Sequence, residues 1–355
     1  MNNFKSVLTD ERIPVATPAD IVDDKGQFVF GTFDKEFEKM SFLNAKKPYG
    51  LFGLPNKMKL TTWEAAEVVF DDIAILTAVS PMFGGIAGPN LTILYDKAAK
   101  KRYTWMSLSA GKSLKFAENL LDGNVTEGKN PLTTVTFIND FGNGKATIKG
   151  DCKGIPGKLK YNLEFTRASE PSIVSIPFAK NMSLYSQKDV FTVTGSLEWN
   201  GKKYEANERT AATIDDHRGY YPPRAHYDWV ATMGALEYDG ALRPFGFNLT
   251  RNQSIDQDKY NENLLFLDGK AHRLTPVTFD HVEFNKWHVT DEHGMVDLTF
   301  DIGDRNVTKF NLGVIGMDYH ITFGELSGYI CDEDGNKYCL DGMTGIGEDK
   351  STHNC

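Results

Sequence analysis

Acidic, basic and aromatic side chains are concentrated in one short segment of the sequence, residues 213–229. Polar groups among aromatic rings are typical of ligand pockets, in which a few polar atoms orient an otherwise apolar molecule. A carboxylate beside such rings also loses hydration, which raises its pKa and allows it to act as a general acid near neutral pH. We therefore predict that the segment lines a pocket. Its candidate residues are Asp215, Asp216, His217, Tyr220, Tyr221, Arg224, His226, Tyr227, Asp228 and Trp229.

The two adjacent aspartates of this segment cannot both face the pocket. Side chains alternate between the two faces of an extended strand, so Asp215 and Asp216 would point to opposite sides. A structural role is also open, in which one aspartate pairs with Arg218 or Arg224 and pins a corner around Pro222–Pro223. An Asp216 that is buried in the pocket without a fixed cation would favour catalysis, whereas a tight ion pair would favour a structural or binding role.

Further polar candidates lie outside this segment. Trp63 and Glu67 alternate with Glu64 in a pattern that predicts a strand, and Trp63 is a candidate for the pocket wall. Both glutamates are expected to face water, because a buried carboxylate without a partner is costly. Asn248 and Arg251 could supply polar groups to the pocket, although Arg251 could equally pair with an acid on the surface.

The sequence carries no motif that predicts a cofactor or a metal ion. Ser109–Ser113 ends like a phosphate-binding loop, but Met106 occupies the position of the required glycine. Gly342–Gly347 lacks the glycine spacing of a dinucleotide site. The eight histidines show no His-x-x-x-His spacing, and the cysteines show no Cys-x-x-Cys spacing. We therefore predict no metal site.

Turn dipeptides recur between strand-like segments, at Asn200-Gly201, Asp268-Gly269 and Asp334-Gly335. Such dipeptides are typical of tight hairpins, so the chain is expected to form antiparallel sheets. Many short antiparallel strands are compatible with a sandwich or a barrel. A barrel is favoured, because its closed sheet has no exposed edges. Evidence for helices is weak: Ser109–Leu121 fits an amphipathic helix or a strand followed by a loop.

The length of 355 residues favours two domains. The density of hairpins places the boundary near residue 210, which gives an N-terminal domain at 1–210 and a C-terminal domain at 211–355. The predicted fold class is therefore all-β, with two antiparallel β-barrel or barrel-like domains. A small barrel has room for one small ligand.

Composition narrows the range of partners. The formal net charge is -9 and no run of Lys or Arg occurs, which argues against nucleic acid and anionic membranes. No apolar run approaches the ~20 residues of a membrane span, and the N-terminus is acidic where a signal peptide is apolar. We expect a cytoplasmic protein with an apolar small-molecule ligand, no stable membrane insertion and free cysteines.

Several stretches of the sequence resemble the family called domain of unknown function 2804, and the likeness covers most of the chain. This family looks related to the lipocalin-like, or calycin-like, proteins that include carotenoid hydratases and fungal pericyclic cyclases. The resemblance implies two lipocalin-like barrels with an apolar pocket at or between them. The stretches that carry it are Thr61–Glu64, Asp215–Pro222, Glu262–His272 and Phe323–Gly328 together with Gly347–Asp349.

The resemblance also implies roles for individual residues. Asp216–Gly219 resembles the Asp-His-Gln-Trp-Gly stretch of the hydratases, although Arg218 replaces the glutamine and the tryptophan is missing. By this analogy Asp216 would donate a proton, with His217 beside it. Tyr221 and Trp229 would stabilise developing positive charge, and Arg224 would position a polar group of the ligand.

Three functions remain compatible with these residues. The leading hypothesis is a cofactor-independent hydratase, isomerase or cyclase that acts on a terpenoid-like, steroid-like or polyketide-like molecule by general acid–base chemistry. The second is a non-catalytic carrier of a lipid or pigment, for which an aromatic pocket suffices. A carbohydrate-active protein would need two carboxylates ~5–10 Å apart in an open cleft.

Overall fold

The computed structural model describes residues 3–50, 53–313 and 315–354. Almost all of its regular structure is β, arranged in two antiparallel sheets that form one nearly closed barrel and one half-barrel. This confirms the prediction of an all-β fold with barrel-like sheets. Helical segments are short: α1 is Asn56–Lys59, and single 3-10 turns occupy Lys5–Val7, Asp10–Arg12, Phe42–Asn44, Phe83–Gly85, Gly111–Ser113 and Phe141–Asn143.

The first sheet contains strands β1–β14. Its main path runs β5-β4-β3-β2-β14-β12-β10-β9-β8-β7-β6, with β1 paired to β11, and both β11 and β13 paired to β12. The strands are β1 Gly31–Phe33, β2 Thr61–Val69, β3 Ile73–Val79, β4 Ala87–Asp96, β5 Lys101–Ala110, β6 Leu114–Lys115, β7 Asn124–Lys129, β8 Thr133–Asp140, β9 Lys145–Gly154, β10 Gly157–Arg167, β11 Ile173–Ala179, β12 Met182–Trp199, β13 Lys202–Glu205 and β14 Ala211–Gly219.

The second sheet contains strands β15–β24. Its path runs β18-β17-β16-β15-β24-β22-β21-β20-β19, with β23 paired to β22. The strands are β15 Arg224–Tyr238, β16 Ala241–Arg251, β17 Leu264–Leu267, β18 Lys270–Arg273, β19 Val277–Glu283, β20 Lys286–Asp291, β21 Val296–Asn311, β22 Ile315–Cys331, β23 Lys337–Cys339 and β24 Thr344–Asn354.

Tight turns set the register of the hairpins, as the sequence predicts. Asn200 and Gly201 have φ values of 50° and 83°, and Asp268 and Gly269 have 55° and 78°. Positive φ at both turn positions matches the right-handed twist of the flanking strands. The hairpins β12–β13 and β17–β18 therefore form where the sequence predicts them.

Side chains draw together the two ends of the first sheet. The Trp105 indole on β5 donates to the Gly157 carbonyl over 3.0 Å, and the Asn130 amide donates to the Leu108 carbonyl over 2.8 Å. The first bond joins β5 to β10, and the second joins β5 to the turn between β7 and β8 near the opposite end of the sheet, both without a backbone ladder. The sheet is thus curved around one apolar core, which Phe137, among others, fills.

The three largest apolar clusters among the described residues lie in the first sheet, in the second sheet, and between the two sheets. In the third cluster the Tyr95 and Phe323 rings stack with centroids 5.4 Å apart, and Trp229 and Ile346 are buried. Because apolar burial is the main favourable term in folding, this cluster fixes one sheet against the other.

The chain passes from the first sheet to the second between Gly219 and Arg224. Strand β14 therefore belongs to the first sheet, although the predicted boundary at residue 210 precedes it; the domain division itself remains a prediction. The N-terminal segment reaches the second sheet, where Phe4 lies in the core and the buried Arg12 donates to the Asn263 carbonyl over 2.8 Å.

Three local features bear on expectations from the sequence. Ser109–Leu121 is not a helix: it comprises the end of β5, a single 3-10 turn, the short strand β6 and irregular structure. Cys331 and Cys339 are not bonded to each other, because the β22–β23 register pairs Cys331 with Lys337 instead. Within the described residues, no helix has the length and apolar character that a membrane crossing requires.

Candidate functional site

A polar cleft opens where the apolar contact between the two sheets ends. One wall is the outer surface of the first sheet, at strands β2, β14 and β12, and the other comes from the second sheet. The connection through Tyr221 and the loop at Asn252–Gln253 complete it. The lining residues are Trp63, Phe178, Leu184, Lys188, Asp215, His217, Tyr221, Ala225, His226, Tyr227, Trp229, Thr250, Asn252, Gln253, Glu262 and Glu348.

The register of the first sheet aligns the central residues of the cleft. His217 on β14 lies opposite Ser186 on β12 and opposite Trp63 on β2. Two positions along, Asp215 lies opposite Lys188. Because side chains two apart share one face of a strand, these five residues project from the same surface.

Three residues hold the ring of His217 in place. Its Nε2 atom is 2.8 Å from Ser186 Oγ and 2.9 Å from Asp215 Oδ1, and the Trp63 ring packs on the imidazole with centroids 4.4 Å apart. The approach to Asp215 has the distance of an ion pair but not the direction of a hydrogen bond. The imidazole is thus fixed in position by contacts to one ring nitrogen and one ring face.

The hydrogen bond that Ser186 donates determines which ring nitrogen of His217 carries a proton. Ser186 donates its hydroxyl proton to Glu262 Oε2 over 2.6 Å, and Lys188 Nζ contacts the same oxygen at 2.9 Å. Since the serine proton is used, its oxygen must accept from His217, which places a proton on Nε2. In the neutral ring the free lone pair is then on Nδ1, which is buried and has no partner among the described residues.

Charge pairing lowers the pKa of two carboxyl groups in the cleft. Burial alone would raise the pKa of Asp215 and of Glu262, but Lys188 and His217 outweigh it and the pKa of both carboxyls is lowered. Burial would lower the pKa of Lys188, but Asp215 and Glu262 raise it instead. Lys188 Nζ also lies 5.4 Å from the centre of the Trp229 ring. The cleft therefore contains fixed charges of both signs.

A second polar group surrounds Glu348 on β24. The hydroxyls of Tyr227 and Tyr319 both donate to this carboxylate, the former over 2.6 Å. Lys350 Nζ lies 4.7 Å from the centre of the Tyr319 ring and 5.0 Å from that of Trp63, and burial lowers its pKa. This group completes the wall that the second sheet contributes.

The cleft is narrow. Its cavity has a volume of about 20 Å³, which is little more than the space for one water molecule. The buried Tyr221 hydroxyl has no hydrogen-bond partner within the described residues, and burial raises the pKa of this phenol well above its ordinary value. Tyr221 is therefore a free hydrogen-bond donor in the cleft.

The structure brings part of the predicted site together in this cleft: Trp63, Asp215, His217, Tyr221, Tyr227 and Trp229. Asn248 supports it from outside, since its amide accepts from the Trp229 indole over 2.6 Å and donates to the Glu262 carbonyl over 2.7 Å. Arg224 lies in a neighbouring groove and Arg251 is exposed. The roles of these residues remain predictions.

Asp216 lies on the other face of β14, inside the first sheet. Arg218 binds both of its oxygens, over 2.8 and 3.1 Å, and both side chains are buried. The tight ion pair that the sequence left open is thus formed with Arg218. Asp216 therefore does not face the cleft. The catalytic role predicted for it stays a prediction, which the geometry of the cleft does not support.

Sequence reasoning missed or misplaced several residues of the site. Glu64 and Glu67 were expected to face water, but both are buried. Lys188 and Glu262 were not recognised as site residues; the signal that could have found Lys188 is a lysine within an otherwise strand-like run, and Glu262 begins one of the stretches that carry the family resemblance. Glu348 was missed because its partners come from distant strands.

One group outside the centre of the cleft has the composition of a metal site. His226, Asp228 and Asp349 each offer one ligand atom within 4.8 Å of the others. These residues lie on two strands of the second sheet, β15 and β24. Sequence reasoning predicted no metal site, because the spacing that it required is between residues on a single element.

Comparison with solved structures finds similar folds at low sequence identity. Kievitone hydratase from Nectria haematococca is 10% identical with a TM-score of 0.44, and the match covers 89% of this chain and 96% of that one. A putative AttH from Nitrosomonas europaea is 10% identical with a TM-score of 0.48, over 85% and 96% of the two chains. CghA with Sch210972 is 11% identical with a TM-score of 0.49, over 87% and 94%.

No match to this chain is found among curated proteins. The model of one protein family matches residues 12–353, which is nearly the whole sequence. The chain therefore belongs to the family called domain of unknown function 2804.

Proposed function

We propose that this protein is a cofactor-independent enzyme of the hydratase, isomerase or cyclase type, which transfers protons to and from an apolar small molecule in the cleft between the two sheets. The observation that carries the proposal is His217, whose Nδ1 atom is buried in the cleft wall without a partner among the described residues, while Asp215 and Ser186 hold its other nitrogen. An imidazole in this arrangement is suited to general acid–base catalysis.

The proposed proton transfer uses both ring nitrogens. Neutral His217 takes a proton from the substrate on Nδ1, and Asp215, 2.9 Å from Nε2, stabilises the imidazolium that forms. The imidazolium then returns the proton to another atom of the substrate, which completes an isomerisation or cyclisation. In a hydration, neutral His217 takes the proton from the water whose oxygen adds to the substrate, and the imidazolium delivers that proton to the neighbouring carbon. A positioned acid–base group of this kind contributes about 10²–10⁴-fold to a rate.

Tyr221 would orient the substrate. Because burial keeps its phenol protonated, it can donate a hydrogen bond to a carbonyl or hydroxyl oxygen of the bound molecule. Its ring stacks with Trp63 at a centroid distance of 6.1 Å, and Phe178 lies 5.6 Å away. These rings would contact the apolar part of the substrate.

The arrangement differs from a nucleophilic triad. In a triad the base contacts the serine with one nitrogen and the carboxylate with the other. Here Ser186 and Asp215 both contact Nε2, and Ser186 has already donated its proton to Glu262. This geometry supports proton transfer by His217 rather than attack by Ser186.

The polar content of the cleft favours catalysis over passive transport of an apolar molecule. A carrier needs an apolar surface, and each buried polar atom without a partner reduces its affinity. Among the described residues the cleft has such atoms on His217, Tyr221 and Glu262. The pKa values of Tyr221 and Glu262 are also shifted, and titratable groups with shifted pKa values in a cleft are typical of catalytic sites.

A substrate larger than water requires the cleft to widen. The walls that can move without breaking a β-ladder are residues 221–223, in the connection between the sheets, and residues 252–254, since neither stretch lies in a strand. We expect binding to displace these stretches while the strands that position His217 stay in place.

The function can be tested by incubating the protein in heavy water with an apolar metabolite extract, followed by mass spectrometry of bound and converted species. We expect the wild type to convert at least one compound with uptake of solvent deuterium. His217→Asn should bind the same compound and convert it about 10²–10⁴-fold more slowly.

His288→Asn is the matched control, because this histidine also contacts an aspartate, Asp297 at 2.9 Å, but is far more exposed. It should convert like the wild type. Binding without conversion by the wild type would overturn the proposal in favour of a carrier, and equal conversion by His217→Asn would remove His217 from the mechanism.

A further inference from the structure

Two histidines and two aspartates form a cluster on the second sheet, at the edge of the cleft, which His226 also lines. His226 and Asp228 lie on β15, Asp349 lies on β24, and His281 lies on β19, the last strand of the sheet. We call these four residues the closure cluster, because they bring β19 against β15 and β24. The cluster is not needed for the proton transfer proposed for His217.

The two aspartates of the closure cluster are placed directly against each other. The register of β15 and β24 pairs Asp228 with Asp349. Like charges directly opposite on neighbouring strands are destabilising. Asp228 is also largely buried, with a side chain only 11% exposed, so solvent screens the repulsion poorly. The arrangement calls for a compensating positive charge.

The histidines present nitrogen atoms to these carboxylates. His226 Nε2 is 3.2 Å from Asp228 Oδ2, and His281 Nε2 is 3.0 Å from Asp228 Oδ1. The second nitrogens of the two rings lie 4.0 and 3.9 Å from the oxygens of Asp349. Each histidine thus lies between the two carboxylates.

The other contact of His226 favours a ligand-binding tautomer. Its Nδ1 atom is 3.0 Å from the hydroxyl oxygen of Ser351. If Nδ1 carries the proton and donates to Ser351, the lone pair of Nε2 faces a carboxylate oxygen, which is repulsive unless a proton or a cation lies between them. Metal-binding histidines commonly donate their second nitrogen in this way.

We propose that His226, Asp228 and Asp349 bind a divalent transition-metal ion, with Zn²⁺ as the probe, and that His281 positions Asp228 from its other oxygen. Imidazole nitrogen and carboxylate oxygen are ligands that Zn²⁺ accepts, and three protein ligands leave a fourth position for water. His226 also lines the open groove beside the cluster, together with Ser351, so an ion can reach the site from solvent.

Bound metal would link three strands. The metal would join its ligands on β15 and β24 directly. The contact between His281 and Asp228 would then also hold β19, the last strand of the half-barrel, against β15. Binding to the folded state alone stabilises a protein in proportion to the logarithm of ligand concentration over Kd. Metal must also displace a proton from His226, so affinity is expected to fall as the pH drops below neutral.

Protonated histidines are the alternative source of positive charge, and calorimetry separates the two. After treatment with EDTA and its removal, wild-type protein is titrated with Zn²⁺ at pH 7.5. We expect one Zn²⁺ per chain and a higher Tm with the metal. His226→Asn and Asp349→Asn should each bind Zn²⁺ at least about tenfold more weakly and lose the Tm increase.

His288→Asn is the control, because it removes a histidine–aspartate contact on the neighbouring strand β20 and should bind Zn²⁺ like the wild type. Co²⁺ absorption gives a second readout, since a band of ligand-field transitions should appear in the wild type and weaken in His226→Asn. His217→Asn should bind Zn²⁺ normally, which separates this site from the proposed catalytic one.

Wild-type protein that binds no Zn²⁺, or that binds it equally well after His226→Asn and Asp349→Asn, would overturn the proposal. In the first case the histidines compensate the two aspartates as imidazolium ions. In the second the metal binds elsewhere on the chain.

Discussion

Asp215 and Asp216 are adjacent in the sequence, and strand β14 sends them into two different environments. Asp216 enters the first sheet, where Arg218 occupies both of its oxygens. Asp215 enters the cleft, where His217 contacts one oxygen at 2.9 Å and Lys188 lies 4.0 Å from the other. The first arrangement is a closed ion pair, whereas the second leaves one ring nitrogen of His217 without a partner among the described residues.

The interior of the first sheet also holds an acid with an incomplete set of partners. Glu64 accepts from the Asn139 amide over 2.8 Å, and its second oxygen has no partner among the described residues. Burial, followed by the charge of Asp216, raises the pKa of Glu64 to about 8. A neutral Glu64 explains how the interior tolerates it, so burial alone does not separate the two regions.

The two regions differ in whether solvent or a small molecule can reach their polar groups. The Asp216–Arg218 pair is sealed among strands, while His217 and Tyr221 line a cleft with an open mouth. A buried charge pair in a sealed interior is expected to govern stability, and a less fully paired group in a cleft is expected to govern chemistry. Substitutions on the two faces of the sheet test this distinction.

The largest expected effect is on stability, from Asp216→Asn. This change leaves the buried Arg218 without its anion, which we expect to lower the free energy of unfolding by about 3–5 kcal/mol. Asp215→Asn should cost roughly 1–2 kcal/mol, because Lys188 keeps its contact with Glu262. Urea denaturation at pH 7 measures both values, and circular dichroism checks that each variant folds.

Asp297→Asn, at an exposed aspartate, provides the baseline for an acid-to-amide change and should alter stability by less than about 0.5 kcal/mol. Equal costs for Asp215→Asn and Asp216→Asn would contradict the contrast between a sealed pair and an open site.

A smaller effect is expected from Glu64→Gln, and it depends on pH. The pKa of Glu64 is raised from 4.5 to about 8 in the folded state, so the unfolded chain ionises first as the pH rises. Glu64 therefore lowers the free energy of unfolding as the pH rises from about 4.5 to 8, and its contribution is constant outside this range. A neutral glutamine avoids that loss.

At about 1.4 kcal/mol per pKa unit the loss is at most about 5 kcal/mol, and relaxation of the interior reduces it, so we expect Glu64→Gln to gain about 1–3 kcal/mol at pH 9. No gain is expected at pH 4. Denaturation curves at both pH values measure the difference, with Glu283→Gln, an exposed glutamate, as the control. A gain at pH 4 as large as at pH 9 would show that titration is not the cause.

The smallest expected effect comes from Ser186→Ala in the cleft. Removal of this hydroxyl takes away the acceptor that holds the proton of His217 on Nε2 and should cost about 1 kcal/mol of stability. Nitrogen-15 NMR of the imidazole should show the Nε2-protonated tautomer in the wild type and a mixture in the variant. Ser183→Ala is the matched control, since Ser183 is buried on the same strand and its hydroxyl has no partner. An unchanged tautomer in Ser186→Ala would break the proton assignment.

Much of the fold could be predicted because its signals are local. Turn dipeptides such as Asn200-Gly201 need positive φ wherever they occur, so the hairpins can be read without any knowledge of the rest of the chain. The family resemblance, confirmed over residues 12–353, rests on motifs distributed along the sequence. The segment Ser109–Leu121 was ambiguous because strand and helix compete over a short apolar pattern.

The candidate site was predictable only where its residues share a segment. His217, Tyr221, Tyr227 and Trp229 lie in residues 213–229 and do reach the cleft. Glu262 comes from another part of the chain, and no pattern in the sequence links it to Ser186. The choice between the two aspartates needed the direction of β14, because alternation shows that they diverge but not which one enters the sheet.

The sequence by itself determined that the chain is a β protein with tight hairpins, that it belongs to its family, and that residues 213–229 concentrate the polar and aromatic groups of a pocket. Only the tertiary structure decided that Asp215 faces the cleft and that Asp216 is sealed with Arg218. It also brought His226, Asp228 and Asp349 within ligand distance of one another. The physical reason is that turns and alternation depend on neighbours in the sequence, whereas the partners of a buried charge are set by strand register and by the packing of one sheet against another.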